Sequence, residues 1–303
     1  MTRFITSQWK AVYLLWITLM ITPYSSSSGS PDSSGNFMSP LSGLLNTFKI
    51  PHDQTLKSMT EASQVWRRKP GQERWEMPEV KLGKTEHDTV QKFLNQLGLV
   101  DELMPESANY HYALLLGATV PRMERRLNHL ASLWKKGVRF KRIIFLVGQR
   151  PLADGIDKVD TLIARTIGKQ ATGERANAAR PLTETEGAKL VFETSDLPPA
   201  MRLVPVEFVD TPRTWQHDHW QRANTRDTLK QWLGRKPEPG KTLVISDQPH
   251  AFYQAEVVKQ ELPDSFAVDA AAQESDPDTQ LSIYLDALAL WLHNRQKRTS
   301  RYN

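Results

Sequence analysis

Five short apolar runs punctuate the chain, and between them apolar residues recur every three or four positions. The runs are Tyr112–Thr119 (YALLLGAT), Arg142–Val147 (RIIFLV), Leu203–Val209 (LVPVEFV), Thr242–Ile245 (TLVI) and Ser265–Ala270. The first two lack polar alternation, which predicts strands covered on both faces. Pro205 cannot donate to a ladder, so the third run belongs toward a sheet edge. Helical spacing is expected over Leu41–Ile50, Gln54–Trp66, Thr85–Leu97, Val120–Lys136, Val159–Ile167, Thr183–Thr194, the stretch opened by Asn224–Thr225, and Asp278–Asn294. Thr85 with Asp88 resembles a capping box, and Gly98 and Gly137 sit where helices stop. Strand and helix patterns alternate from Tyr112 onward. That order predicts an α/β fold: a mostly parallel sheet with helices on both faces, plus an N-terminal helical extension.

In such a sheet the carboxyl ends of the strands face a common crevice, where ligands bind. The strand exits supply the candidate residues. Gly117, Ala118 and Thr119 lead into a helix whose first N–H groups suit an anion, and Gly148 ends the second strand. Ser246, Asp247 and His250 follow the strand at Thr242–Ile245, and Asn224 and Thr225 open the helix before it. Arg125 lies on the helix after the first exit; Glu186 lies in the first turn of the helix from Thr183. His250 is the acid/base candidate, because an imidazole exchanges protons near neutral pH. Glu186 and Asp247 would position it or a water. The local alternative is that Asn224 caps its helix, Glu186 serves a helix dipole, and Ser246, Asp247 and Pro249 make a turn.

The segment Asp210–Gln221 (DTPRTWQHDHWQ) places His217 and His219 on either side of Asp218, a ligand set suited to zinc or manganese. No third ligand motif accompanies it, and a solvated or Trp-packed loop is the default expectation. There is no Walker loop, GxGxxG, HExxH or GxSxG pattern. The 303 residues include no cysteine, which excludes disulfides, thiolate metal sites and cysteine nucleophiles. A net charge of +5 favours anionic partners, but the basic residues are scattered except at the C-terminus, and no nucleic acid is expected.

Residues 1–29 read as a signal peptide or N-terminal anchor. Arg3 and Lys10 precede the apolar run Ala11–Ile21, which falls short of the roughly 20 residues of a spanning helix, and a Ser-rich exit follows. Export to a periplasm or cell envelope is therefore expected, with membrane-surface association through the N-terminus. Residues 30–84 form a linker and wrapping extension, 85–295 the α/β domain and 296–303 a basic tail. The long connection Gln149–Pro181 is expected to be a partly ordered lid.

From about Tyr112 to Ala270 the chain resembles the SanA/ElyC/YdcF group of bacterial Rossmann-like proteins. The resemblance rests on Leu116-Gly117-Ala118 with Arg125 or Arg126, Val147-Gly148-Gln149, Glu186-Gly187-Ala188, Asn224-Thr225-Arg226-Asp227-Thr228, and Ile245-Ser246-Asp247-Gln248-Pro249-His250. Three positions depart from the pattern. Tyr253 stands where the family has an arginine, Gln149 replaces the second glycine of a Gly-Gly turn, and Thr228 replaces an asparagine. The resemblance implies a Rossmann-like three-layer fold, an envelope setting, and a nucleotide-like cofactor such as S-adenosylmethionine in some members. The leading expectation is an envelope protein holding a small anionic or phosphorylated molecule at the strand tips. Its competitors are a non-catalytic interaction module with a degenerate site and a metal-dependent hydrolase using His217 and His219.

Overall fold

The computed structural model describes residues 37–170, 182–216 and 218–300. The signal or anchor segment, most of the linker, Arg301–Asn303 and His217 lie outside the described residues. The described chain runs α1 (Met38–Thr47), α2 (Leu56–Ser63), α3 (Lys84–Gln96), β1 (Asn109–Leu116), α4 (Val120–Lys135), β2 (Arg139–Leu146), α5 (Asp154–Asp157), α6 (Val159–Gln170) and α7 (Glu184–Thr194). It continues with α8 (Pro199–Arg202), β3 (Val206–Phe208), β4 (Thr214–Gln216), β5 (His219–Gln221), α9 (Thr225–Leu233), β6 (Thr242–Asp247), α10 (Ala251–Glu261), β7 (Val268–Gln273) and α11 (Leu281–Thr299). None of the described helices is long and apolar enough to cross a membrane.

Five strands form one parallel sheet in the order β3-β2-β1-β6-β7, with Ala113 opposite Ile143 on one side and Leu243 on the other. This is a Rossmann-like three-layer arrangement. Side chains alternate across each strand, so the apolar runs feed both faces. Ala113, Leu115, Ile143, Phe145, Leu243 and Ile245 pack with α4 and α7 on one face. Tyr112, Leu114, Leu116, Ile144, Leu146 and Val244 pack with Leu229 and Trp232 of α9 and Val258 of α10 on the other. Each fully buried Leu, Ile or Phe contributes about 1.5–3 kcal/mol relative to exposure, which is why unbroken apolar runs specify central strands.

The order reverses between β1 and β6. The chain builds outward through β2 and β3, then crosses back to lay β6 on the other side of β1. In open sheets of this kind ligands bind at such a switch point, beyond the carboxyl ends of the strands.

The extension packs onto α11 and α3. Phe37, Leu41, Leu44, Leu45 and Met59 are buried with Val90, Leu94, Tyr284, Leu288 and Trp291, and Trp66 meets Phe48 edge-on at 5.5 Å. Helix α3 starts one residue earlier than expected: Glu86 accepts the N–H of the N-cap Gly83, in place of the Thr85–Asp88 pair. Gly98 and Gly137 adopt φ of 69° and 101°, as a helix stop requires. Helix α11 runs on to Thr299, past the boundary drawn at 295 for the basic tail.

Both sheet margins are guarded. β3 is three residues long, and Pro205 beside it offers only its carbonyl, which accepts the Ile143 N–H at 2.9 Å. At the other margin Leu103 makes an antiparallel bridge with Ala272 of β7. The connection after β2 is docked at several points. Val159 and Leu162 of α6 are buried, and Pro151 pairs with Thr183. Residues 171–181 of the expected lid lie outside the described residues.

Candidate functional site

The crevice is built around Asp247, the last residue of β6. Arg126 on α4 is buried and donates from Nε to Asp247 Oδ1 at 2.7 Å; its Nη1 donates to the Leu116 carbonyl at 2.6 Å. One guanidinium thus ties the tips of β1 and β6 together. One turn earlier on the same helix, Arg122 places Nε 3.2 Å from Asp247 Oδ2 and donates through Nη2 to Nε2 of His250. Arg122 is the more open of the two, with 31% of its side chain exposed against 1% for Arg126. Burial alone would push the Asp247 carboxyl up, but Arg126 and Arg122 outweigh it and hold the group below the usual carboxylate range.

His250 is fully buried. Because a guanidinium only donates, Nε2 is the acceptor and the ring proton sits on Nδ1, which is buried without a partner. Burial, then the neighbouring Arg122, Arg74, Arg126 and Arg68, hold its pKa well below 6.5. The imidazole is therefore neutral at pH 7, and proton exchange near neutrality, expected of it from the sequence, does not fit this setting.

Glu184 takes that range instead. It is the first residue of α7, and its carboxylate lies between the exits of β1 and β2. Oε2 accepts the Gly148 N–H at 3.1 Å. Oε1 fills the space at Gly117, where an added Cβ would come within 2.9 Å of it and of the Leu146 carbonyl. Burial pushes its carboxyl up to about 7, partly opposed by Arg150 and the Gly148 N–H. Arg150 is anchored by Asp157 through two bonds of 3.0 and 2.9 Å and donates to the Ala118 carbonyl at 3.1 Å. Asp157 in turn accepts the Val120 N–H at 3.0 Å.

The glycine exits thus differ from expectation. Gly117 makes room for Glu184, and Gly148 makes room for the Thr211 carbonyl, 2.8 Å from where its Cβ would be. The Gly148 N–H is taken by Glu184 and the Val120 N–H, at the start of α4, by Asp157. Guanidinium groups stand close by as further donors for an anion.

The extension contributes to the same crevice. Arg74 donates from Nη2 to the Tyr253 hydroxyl at 2.8 Å, lies over that ring, and places Nε 3.5 Å from the buried Asp286. A cation therefore stands beside Tyr253, the residue that replaces the resembled pattern's arginine. The preceding residue, Glu73, pairs with Arg222 at 3.1 Å. Around His250 stand four guanidinium groups, of Arg122, Arg74, Arg126 and Arg68, with Asp247 and Asp286 as carboxylate partners.

Several expected residues sit elsewhere or serve local structure. Glu186 is exposed, and its carboxylate accepts the N–H groups of Leu182 and Thr183 as a capping box, so it does not reach the crevice. Arg125 turns to Asp276 and the Glu274 carbonyl beyond β7. Asn224 is exposed and accepts the N–H groups of Arg226 and Asp227 at 2.8 and 3.3 Å as the cap of α9. Thr225 is the first residue of α9, and its carbonyl accepts the Thr228 hydroxyl. Ala223 lies against Gly148, so this cap does share the strand-tip rim. Ser246 is buried and donates to Gln254. Thr119 precedes α4 without a side-chain cap bond, half-buried beside Ala118.

The segment read as a possible metal loop is a hairpin. Trp215 on β4 stands opposite Trp220 on β5, their rings 5.4 Å apart, with Asp218 at the turn and His219 exposed. Among the described residues there is no group of three or more His, Asp or Glu side chains that could hold a metal ion.

Fold and crevice together define a class: a Rossmann-like α/β protein whose switch-point crevice is lined by arginines and holds one carboxyl that titrates near neutrality. No protein-family model, curated protein or solved structure matches the chain.

Proposed function

We propose that the chain is an exported, SanA/YdcF-like protein that binds a small phosphorylated or nucleotide-like molecule at the tips of β1, β2 and β6. The observation that carries this reading is Arg122. Its guanidinium is fixed by Asp247 and His250 at the sheet's switch point and still opens partly to solvent. A planar fork pre-set in this way suits a phosphate or carboxylate, since little freedom is lost on binding. Arg74 and Arg150 extend the positive surface to either side. Neutral His250 orients Arg122, and Glu184 is the group able to give or take a proton at neutral pH.

The test is calorimetry and thermal shift of the full chain with inorganic phosphate, AMP, ATP and S-adenosylmethionine. A saturable ligand whose affinity falls at least tenfold in Arg122→Gln, with folding intact, supports the reading. Equal affinity in Arg122→Gln and wild type rejects it.

A second reading, the non-catalytic interaction module, draws on a different observation. Internal carboxylates already take the Gly148 and Val120 N–H groups, and His250 is buried. A crevice that takes none of the anions and whose Glu184→Gln variant retains function in the cell would favour this module.

A further inference from the structure

A groove of about 400 Å³ lies away from the crevice, between α9, α10 and α11. It is lined by Arg226, Gln260, His293, Gln296, Lys297 and Ser300. No apolar and no acidic side chain lines it, and each of the six carries an N–H or O–H donor. Arg226 is held in place, ion-paired to Glu261 and donating to Gln260 at 2.7 Å and Asn294 at 3.2 Å. His293 and Lys297 are four residues apart on α11 and so share a face of that helix.

We infer that this groove is a second anion site, taking a phosphate monoester through Lys297, His293 and Arg226, with Gln296 and Ser300 at its margin. The charge balance favours that occupant. Around His293 stand Lys297 on its own helix, Arg226 on α9 and Arg67 from the extension, against Glu261 on α10, the partner of Arg226, which leaves an excess of positive charge. Burial first, and then these three cations, depress the proton affinity of His293. An arriving dianion offsets the cations and raises it again. The groove shares no residue with the strand-tip crevice, and its test does not depend on that crevice binding anything.

The experiment follows the His293 ring signal by NMR in the full-length chain, assigned with His293→Gln, in inorganic phosphate or in chloride at matched ionic strength. The expected result is an upward shift of the His293 titration in phosphate only. Lys297→Glu, at an exposed position, should abolish the His293 shift, whereas Arg122→Gln should leave that shift intact. A parallel arm uses phosphatidylcholine vesicles with and without phosphatidic acid. A shift with free phosphate identifies a soluble ligand, and a shift only with phosphatidic acid identifies a lipid headgroup; both support the site. A His293 titration identical in phosphate, chloride and both vesicle types overturns it.

Discussion

Arg126 and Asp247 are 121 residues apart in the chain and form an ion pair in which neither side chain is more than 2% exposed. Removing one partner leaves the other charge buried and uncompensated. Asp247→Ala should therefore cost about 3–5 kcal/mol of stability, read as a fall in the urea midpoint. The double variant Arg126→Met with Asp247→Leu should recover much of that loss. If Asp247→Ala unfolds at the wild-type midpoint, the pair does not hold β1 to β6.

Glu184 gives stability a pH dependence of known sign. Its folded carboxyl titrates near 7 and its unfolded one near 4.5, so the folded state holds more protons between those values. Its contribution is fully present below the lower value and is lost as pH rises through about 7, by about 3 kcal/mol in all. Glu184→Gln keeps an acceptor for the Gly148 N–H and should flatten that slope. Thermal unfolding of both proteins from pH 4.5 to 8 measures it, and parallel curves would contradict the assignment.

His129 acts in the opposite direction. It is buried on α4, and burial pushes its pKa to about 4, with Glu102 only partly opposing. The unfolded chain binds more protons below 6.5, so stability is complete above that pH and falls as the solution is acidified toward 4. His129→Leu should reduce this acid sensitivity, and His250, which is shifted the same way, contributes to the remainder. An unchanged pH profile between 6.5 and 4 would show that His129 is not the source.

Gly117→Ala tests the packing of the β1 exit. Its Cβ would meet Glu184 and a backbone carbonyl near 2.9 Å, whereas an added Cβ at Gly155 meets nothing within 4 Å. The first should cost about 1–3 kcal/mol by overpacking. The second should be neutral or stabilising by about 0.4–1 kcal/mol, because it restricts only the unfolded chain. Chemical denaturation of the two variants side by side distinguishes these effects.

The central strands were legible because burial on both faces leaves an unbroken apolar run, and Pro205 marked the margin through its missing donor. The exits were legible as positions but not as chemistry. Glu184 and Glu186 share one helical turn, and only the spacing Thr183-x-x-Glu186 hints that the second is committed to the cap. Arg122, Arg125 and Arg126 project from neighbouring positions of one helix, and which of them meets Asp247 is decided by how α4 lies on the sheet. Arg74 reaches Tyr253 across 179 residues, a contact with no local signal. The Trp packing expected of the Asp210–Gln221 segment is found between Trp215 and Trp220, while the strand pairing has only the weak signal of Thr-Trp-Gln and His-Trp-Gln repeated around the turn.

The Leu103–Ala272 bridge and the abbreviated β3 together govern how molecules of this protein meet one another. A long open strand at either end would offer a template on which a second chain could zip and propagate into fibres. With one end capped by the chain's own backbone and the other too short to recruit a neighbour, the sheet is finished at five strands. Pairing through the two margins of the five-stranded sheet is thereby disfavoured.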